Sequence, residues 1–188
     1  MSKSYQVLVV GGGAAGLATA ASLKKRDRSL EVAVVEPSDK HYYQPGWTMV
    51  GAGVFTKEDT IKDTDSIWPS DVIRIKDEVI KFDPKNNKVT LGNKTEVGYE
   101  MLVVASGLKL DWEAIEGLSE SLGENGVTSN YRYDLAPYTW ELVQEMNGKN
   151  AIFTQPPMPI KCAGAPQKAM YLSCDHWQKS GQLEGMNV

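Results

Sequence analysis

Cysteine and histidine are scarce, two of each in 188 residues. Cys162 and Cys174 are too few for a disulfide framework. With only His41 and His176 beside them, they offer no structural-zinc spacing, so no metal is expected. A reducing compartment fits such a chain best. Long apolar runs are missing too, since no stretch approaches the ~18 residues that span a bilayer. No apolar h-region opens the chain: residues 2–5 lead directly into a strand pattern, which argues against a signal peptide. Nor is there an excess of positive charge. Lys and Arg number 20 against 24 Asp and Glu, leaving −4 with no basic cluster, so nucleic acid is not an expected partner. The hydrophobic share of 41% is ordinary for a soluble globular protein and supplies a core. The length exceeds one typical domain and is short for two complete ones.

What is present is concentrated at the start. Gln6-Val-Leu-Val-Val10 reads as a strand for a parallel sheet buried on both faces. It runs into Gly11-Gly12-Gly13-Ala14-Ala15-Gly16, which satisfies G-x-G-x-x-G. Gly11 suits the tight turn, Gly13 lets the backbone approach a pyrophosphate, and Gly16 lets the following helix lie close to the strand. The free N–H groups and positive dipole end of that helix face any anion on the turn. A second apolar strand, Glu31-Val-Ala-Val-Val35, ends in Glu36, twenty residues after Gly16. A carboxylate there accepts hydrogen bonds from both hydroxyls of an adenosine ribose and repels a 2′-phosphate. The competing explanation, a chance glycine-rich turn with an ordinary surface Glu, has strand, spacing and acid against it. The site is read as one for a dinucleotide other than NADP.

Residues 37–48 read as a loop by their prolines and glycine, yet they carry His41, Tyr42, Tyr43, Gln44 and Trp47. The functional reading is a wall against an isoalloxazine or adenine ring with Gln44 as hydrogen-bond partner. The plainer one is aromatic cover for a sheet edge, and for His41 alone this is preferred. Residues 72–75, 77–82, 88–91 and 95–99 alternate, with turns at residues 83–87 and Gly92-Asn93, and predict a small antiparallel meander. Val79 falls where a strand could offer backbone groups to adenine. Residues 99–107 form a buried strand ending in small residues that include Ser106 and Gly107, which lets backbone pass close beneath a cofactor. A plain NAD domain would continue alternating β and α, so a meander at this point favours FAD.

Residues 150–154 are expected to open a second α/β domain as a strand. In an NAD-dependent protein this strand would run into another glycine-rich turn. Here it meets Gln155-Pro-Pro-Met-Pro-Ile-Lys-Cys-Ala-Gly-Ala-Pro166, whose prolines have no N–H to give a phosphate. The loop displays Cys162 with Lys161 beside it. Pro166 suits the first turn of a helix reaching Trp177. Cation and helix N-terminus together would favour a thiolate, the nucleophilic form, over the inert loop cysteine that is the commoner case. Met170, Cys174 and Trp177 fall on one helical face, which makes Cys174 a small buried hydrophobe. His176 is read as a helix-surface residue.

Residues 11–16, Glu36-Pro37, His41-Tyr-Tyr-Gln-Pro45, residues 99–107 and Lys161-Cys-Ala-Gly-Ala-Pro-Gln-Lys168 together resemble sulfide:quinone oxidoreductase, of the few-cysteine type that includes mitochondrial enzymes. The resemblance covers essentially the whole chain, and the Lys161-to-Lys168 stretch is its specific part. It implies an α/β fold: a Rossmann-like FAD-binding domain (1–110) with an inserted meander, then the truncated start of a second dinucleotide-binding-like domain (111–188). It implies oxidation of sulfide to a persulfide or sulfane-sulfur product, with electrons passing through FAD to a quinone. Cys162 would be one of two redox cysteines, with Lys161 beside it, and the second would lie beyond residue 188. Gly11, Gly12, Gly13, Ala14, Ala15, Gly16 and Glu36 would hold the ADP half of FAD, with Gln44, Val79, Ser106 and Gly107 contributing. A small thiol or sulfite-like molecule would accept the sulfur. Regions absent from the chain would reach a membrane surface, either the inner face of the plasma membrane or, with a lost transit peptide, the mitochondrial inner membrane. The chain is accordingly expected to be an N-terminal portion, incomplete for turnover. Two alternatives stay open: a type II NADH:quinone oxidoreductase and a non-catalytic flavin-binding fragment.

Overall fold

The computed structural model describes residues 3–148 and 150–188. In chain order the first elements are β1 (Lys3–Val10), α1 (Ala14–Arg26), β2 (Val32–Val35), β3 (Lys40–Tyr42) and α2 (Trp47–Val50). Next come β4 (Ile61–Asp63), α3 (Thr64–Ile67), β5 (Ile73–Ile75), β6 (Val79–Asp83), β7 (Lys88–Leu91) and β8 (Glu96–Val104). Three helices follow: α4 (Leu118–Ser121), α5 (Ala136–Glu145) and α6 (Ala165–Ser180). The chain divides into two compact units, one reaching to Tyr42 and including Lys62–Leu110, the other Tyr43–Ile61 with Asp111–Val188.

The first unit is a six-stranded sheet in the order β5-β2-β1-β8-β7-β6. β1 pairs in parallel with both β2 and β8, and β2 with β5. Parallel neighbours need a crossover, and α1 supplies the one between β1 and β2. The valine runs are buried on both faces, as such a sheet requires. Val7 and Val9 pack with Val32, Val34 and Ala20 of α1, while Leu8 packs with Ala33, Val35, Val89 and Leu91.

This sheet cannot be flat. Ile75 ends β5 and Val79 begins β6, so four residue steps, at most about 14 Å, join strands that five flat spacings would hold about 24 Å apart. The antiparallel part therefore folds back over the parallel part. The cluster of Tyr5, Leu8, Val35, Val89, Val97 and Tyr99, with Ile73, Ile75 and Val79 packed against it, fills the interior of that fold.

Three local expectations are corrected here. Residues 72–75 do not belong to the meander, because Ile73–Ile75 extends the parallel sheet beside β2. A three-residue strand shows its periodicity in the sequence but not its partner. Residues 95–99 and 99–107 are not two strands. β8 is continuous, antiparallel to β7 at its start and parallel to β1 along its length. Residues 37–48 are not simply a loop, since they contain β3, a 3₁₀ turn at Gln44–Gly46 and the start of α2. The Gly92-Asn93 turn forms as expected, with Lys94 at φ +70° and Leu91 N–H donating to Thr95 C=O at 2.9 Å.

In the second unit α2 packs against α5 and α6. Trp47 is buried with Val50, Ala136 and Tyr133, so it is a core residue and not part of an exposed aromatic wall. Trp177 of α6 is buried with Val143 and Ala151, and its Nε1–H donates to Val143 C=O at 2.8 Å. Cys174 packs against this cluster. His176 is half-buried with its ring edge-on to Trp140, centroids 4.8 Å apart, and so is not a plain surface residue. The expected strand at residues 150–154 does not form. Asn150 makes an isolated bridge to Asn187, with Ala151 N–H on Asn187 C=O at 2.8 Å. A strand needs a ladder along its edge, and one bridge does not make one.

Two substitutions test this packing. A Cβ on Gly16 would lie 1.8 Å from the Gly11 carbonyl oxygen, and Leu8 is wholly buried. Leu8→Ala is expected to cost about 2–5 kcal/mol in urea unfolding. Gly16→Ala should destabilise comparably by forcing helix from strand, and losses below about 1 kcal/mol for both would contradict this packing.

Candidate functional site

The parallel register brings three pieces of backbone to the carboxyl ends of the strands. Val10 is level with Val35 and Val104, so the turn after β1, Glu36 after β2 and residues 105–107 after β8 meet at one edge. Gly11 N–H donates to Val35 C=O at 2.9 Å, and Ala105 N–H donates to Val10 C=O at 2.8 Å. Gly11 has φ +100°, and a Cβ there would lie 2.4 Å from the Ala105 carbonyl oxygen. Only glycine satisfies both demands.

Gly12 is a glycine for a different reason: a Cβ there would strike the Glu36 side chain at 2.7 Å. The Glu36 carboxylate accepts from Gly12 N–H at 2.7 Å and from Ser38 N–H at 2.8 Å. One bond falls on each oxygen, so each keeps acceptor capacity for a ribose hydroxyl. Gly13 caps α1 and has no atom within 4 Å of where its Cβ would be. The first helical bond runs from Leu17 N–H to Gly13 C=O. The N–H groups of Ala14, Ala15 and Gly16 are thus without helical acceptors, and no acidic side chain occupies the first turn. Exposed small residues, open space at Gly13 and a positive helix end suit a pyrophosphate. These residues fit the ADP half of a dinucleotide.

Ser106 and Gly107 are exposed just beyond β8, and Gly107 has φ +76°. Val79 starts the edge strand β6, four residues from Ile75, whose C=O accepts Glu36 N–H at 3.0 Å. Chain length alone therefore holds Val79 within about 14 Å of Ile75, at the end of the sheet that bears Glu36. Arg74 belongs to no motif in the sequence, yet it braces the segment after Glu36. It donates to Ser38 C=O at 2.8 Å and Asp39 at 3.1 Å, bonds Asp65, and lies over the Trp68 ring. An arginine between two inward isoleucines of a strand was the available signal.

The cysteine loop lies in the second unit. Cys162 is exposed at φ +55°, two residues before the Gly164 cap of α6, and its C=O accepts Ala165 N–H at 2.9 Å. Lys161 does not extend into solvent. Its ammonium donates to Gln44 Oε1 and sits 5.6 Å from the centre of the Tyr131 ring. Burial pushes the Lys161 ammonium below the usual lysine range, and the facing Cys162 charge opposes that shift. Tyr131 donates its hydroxyl to the carbonyls of Lys161 and, at 3.1 Å, of Cys162. Burial, and then the charge of Cys162, raise the Tyr131 phenol above its ordinary value, so it stays a donor. Gln44, Tyr131, Lys161 and Cys162 thus form one constellation. The first three are within reach of each other only through folding, and Tyr131 carried no local signal. Cys174 stands apart, in the Trp177 cluster. Among the described residues no group of His, Cys, Asp and Glu could hold a metal ion, and no helix is long and apolar enough to cross a membrane.

The family model for pyridine nucleotide-disulphide oxidoreductase matches residues 5–143. The mitochondrial sulfide:quinone oxidoreductase of Dictyostelium discoideum is 44% identical over 178 residues, covering 94% of this chain and 39% of that protein. Its counterpart in Mus musculus is 42% identical over 184 residues, covering 98% of this chain and 41% of the relative. The structure of the sulfide:quinone oxidoreductase from the hyperthermophilic bacterium Aquifex aeolicus has the same fold, with a TM-score of 0.74 at 22% identity over 98% of this chain and 42% of that one. The chain spans about two fifths of the length of the curated relatives it matches. FAD is the dinucleotide cofactor of this family, and the Gly11-to-Glu36 turn has the space and donors that its ADP half needs. With more than half its length matched by the family model, the chain belongs to the pyridine nucleotide-disulphide oxidoreductase family.

Proposed function

We propose that the protein containing this chain oxidises sulfide to a persulfide and passes the electrons to a quinone, with Cys162 as a redox and persulfide-carrying thiol. The observation that carries this reading is the 155–164 segment. Where a second dinucleotide turn would need donors, it has Pro156, Pro157 and Pro159, and it presents an exposed cysteine beside a braced lysine. A match covering 98% of the chain includes this segment, which supports a shared use of it. The prolines speak against the NADH:quinone alternative.

The chemistry is thiol–disulfide exchange. HS⁻ attacks a disulfide between Cys162 and a second cysteine from the part of the protein this chain does not span. The old S–S bond breaks, a new one forms on Cys162 as Cys162–S–SH, and the other sulfur leaves as a thiolate. A small thiolate or sulfite-like acceptor then takes the outer sulfur, leaving Cys162 as thiolate. The two thiolates re-form the bridge and release two electrons. FAD, when bound, accepts such a pair and hands it to a quinone. Throughout, Lys161 sets a positive charge beside the sulfur that alternates between thiolate and persulfide. Gln44 restrains that charge. Glu36 and the glycine turn hold the ADP half. Quinone use places the protein at a membrane surface, and the relatives' names point to the mitochondrion.

In the FAD-loaded protein under anaerobic conditions, sulfide should bleach the flavin and NADH should not. Cys162→Ser should retain the flavin band and lose the sulfide response. Bleaching by NADH alone, or a full response in Cys162→Ser, would overturn the assignment. Separately, Glu36→Gln is expected to weaken FAD binding about tenfold, read by flavin-fluorescence titration, because a charged acceptor is lost. Unchanged affinity would remove Glu36 from the site.

A further inference from the structure

We propose that Tyr131 is a positioning residue for Cys162, its hydroxyl holding the cysteine backbone in the left-handed conformation that keeps the sulfur beside Lys161 and the start of α6. The inference rests on the reading of Cys162 as the working thiol and adds to it a residue that sequence and family resemblance left unassigned.

A non-glycine residue at φ +55° is in a sparsely populated region and persists where its surroundings over-determine it. Asn, Asp and Gly adopt this conformation readily, and cysteine does not. The surroundings of Cys162 supply the restraint. Its carbonyl accepts two hydrogen bonds, from Tyr131 Oη at 3.1 Å and from Ala165 N–H at 2.9 Å. The same phenol also bonds the carbonyl of Lys161. The single hydroxyl proton is thus shared between two consecutive carbonyls in a three-centre bond, which restrains the orientation of the peptide between them. The Tyr131 ring meanwhile lies under the Lys161 ammonium, and Gln44 holds that ammonium from elsewhere in the unit. Side chain and backbone of Lys161 and the backbone of Cys162 are therefore held by one tyrosine. Negative charge on Cys162 would act on both the Lys161 ammonium and the Tyr131 phenol, so all three share one electrostatic neighbourhood. Cys162 is already exposed, so loosening the loop gains it little access. What loosening removes is the fixed positive surrounding.

That surrounding can be read with two alkylating reagents of opposite demands, in the protein carrying Cys174→Ser and reduced beforehand so that Cys162 is a thiol, with alkylation followed on the Cys162 peptide by mass spectrometry. Anionic iodoacetate senses local positive potential and neutral iodoacetamide reports access, so their rate ratio at Cys162 isolates the field at the sulfur. Tyr131→Phe removes only the hydroxyl. It should lower the iodoacetate-to-iodoacetamide ratio by about threefold, the scale of a helix-end or single-charge interaction at an exposed site. In a Lys161→Met background, Tyr131→Phe should lower it much less, since the charge it positions is gone. A ratio within about 1.5-fold of the parent, or an equal drop in both backgrounds, would overturn the proposal. Should Tyr131→Phe disturb the helical circular dichroism, hydrogen exchange in the unmodified protein decides. The Ala165 N–H should be protected as in the body of α6, and exchange at the free-peptide rate would show that the turn is not held. Alkylation involves neither sulfide nor flavin. A lowered ratio with no bleaching by sulfide would therefore leave the positioning intact and defeat the sulfide reading, whereas bleaching with an unmoved ratio would do the reverse.

Discussion

Everything at the glycine turn after β1 depends on how closely two glycines pass. Gly16 lies so near the carbonyl of Gly11 that no side chain fits between them, and Gly11 lies too near the carbonyl of Ala105 for a Cβ as well. These two approaches bring the first turn of α1 down onto the end of β1 and bring β8 up beside it. The free amides of Ala14 to Gly16, the acid on β2 and the small residues after β8 are then placed at one edge without any further device. Gly12 extends the same constraint, because the Glu36 side chain packs where its Cβ would be and accepts its N–H. The cradle is a consequence of missing β-carbons.

The cysteine loop is organised by the opposite means, long polar side chains that cross between distant segments. Lys161 gives up part of its hydration and is compensated by Gln44 and by the face of Tyr131. A partly buried ammonium held in this way is a local field of more fixed direction than a solvated lysine would give. The two sites thus illustrate two routes to preorganisation. In the first the backbone is brought close, and in the second side chains tie a loop whose own conformation is unfavourable.

Legibility in the sequence followed the range of the interactions. The strand-turn-helix, the acid after β2 and the proline start of α6 were readable because their determinants lie within a few residues of one another. Trp177 and Cys174 were placed on an inward face by helical spacing, and both pack in one cluster. Errors came where a segment's identity depends on a partner. Ile73–Ile75 has the alternation of a meander strand, yet it pairs with β2. Residues 150–154 have the composition of a strand but only one bridge. Trp47 sits in an aromatic-rich stretch that reads as a ligand wall, and burial against Tyr133 and Ala136 makes it core.

The sequence by itself determined the local chemistry: a turn that only glycine permits, a carboxylate at the end of the second strand, a proline-filled loop without donors for phosphate, and a cysteine ahead of a helix. Each of these follows from one residue's conformational range or functional group. Only the tertiary structure decided that the meander folds back over the parallel strands, that Arg74 braces the segment after Glu36, and that Tyr131 and Gln44 serve the cysteine loop. The lysine–glutamine contact joins positions 117 residues apart, and the tyrosine reaches a carbonyl 31 residues away. No local rule fixes such pairs, because which side chains meet at that range depends on the path of the whole chain between them.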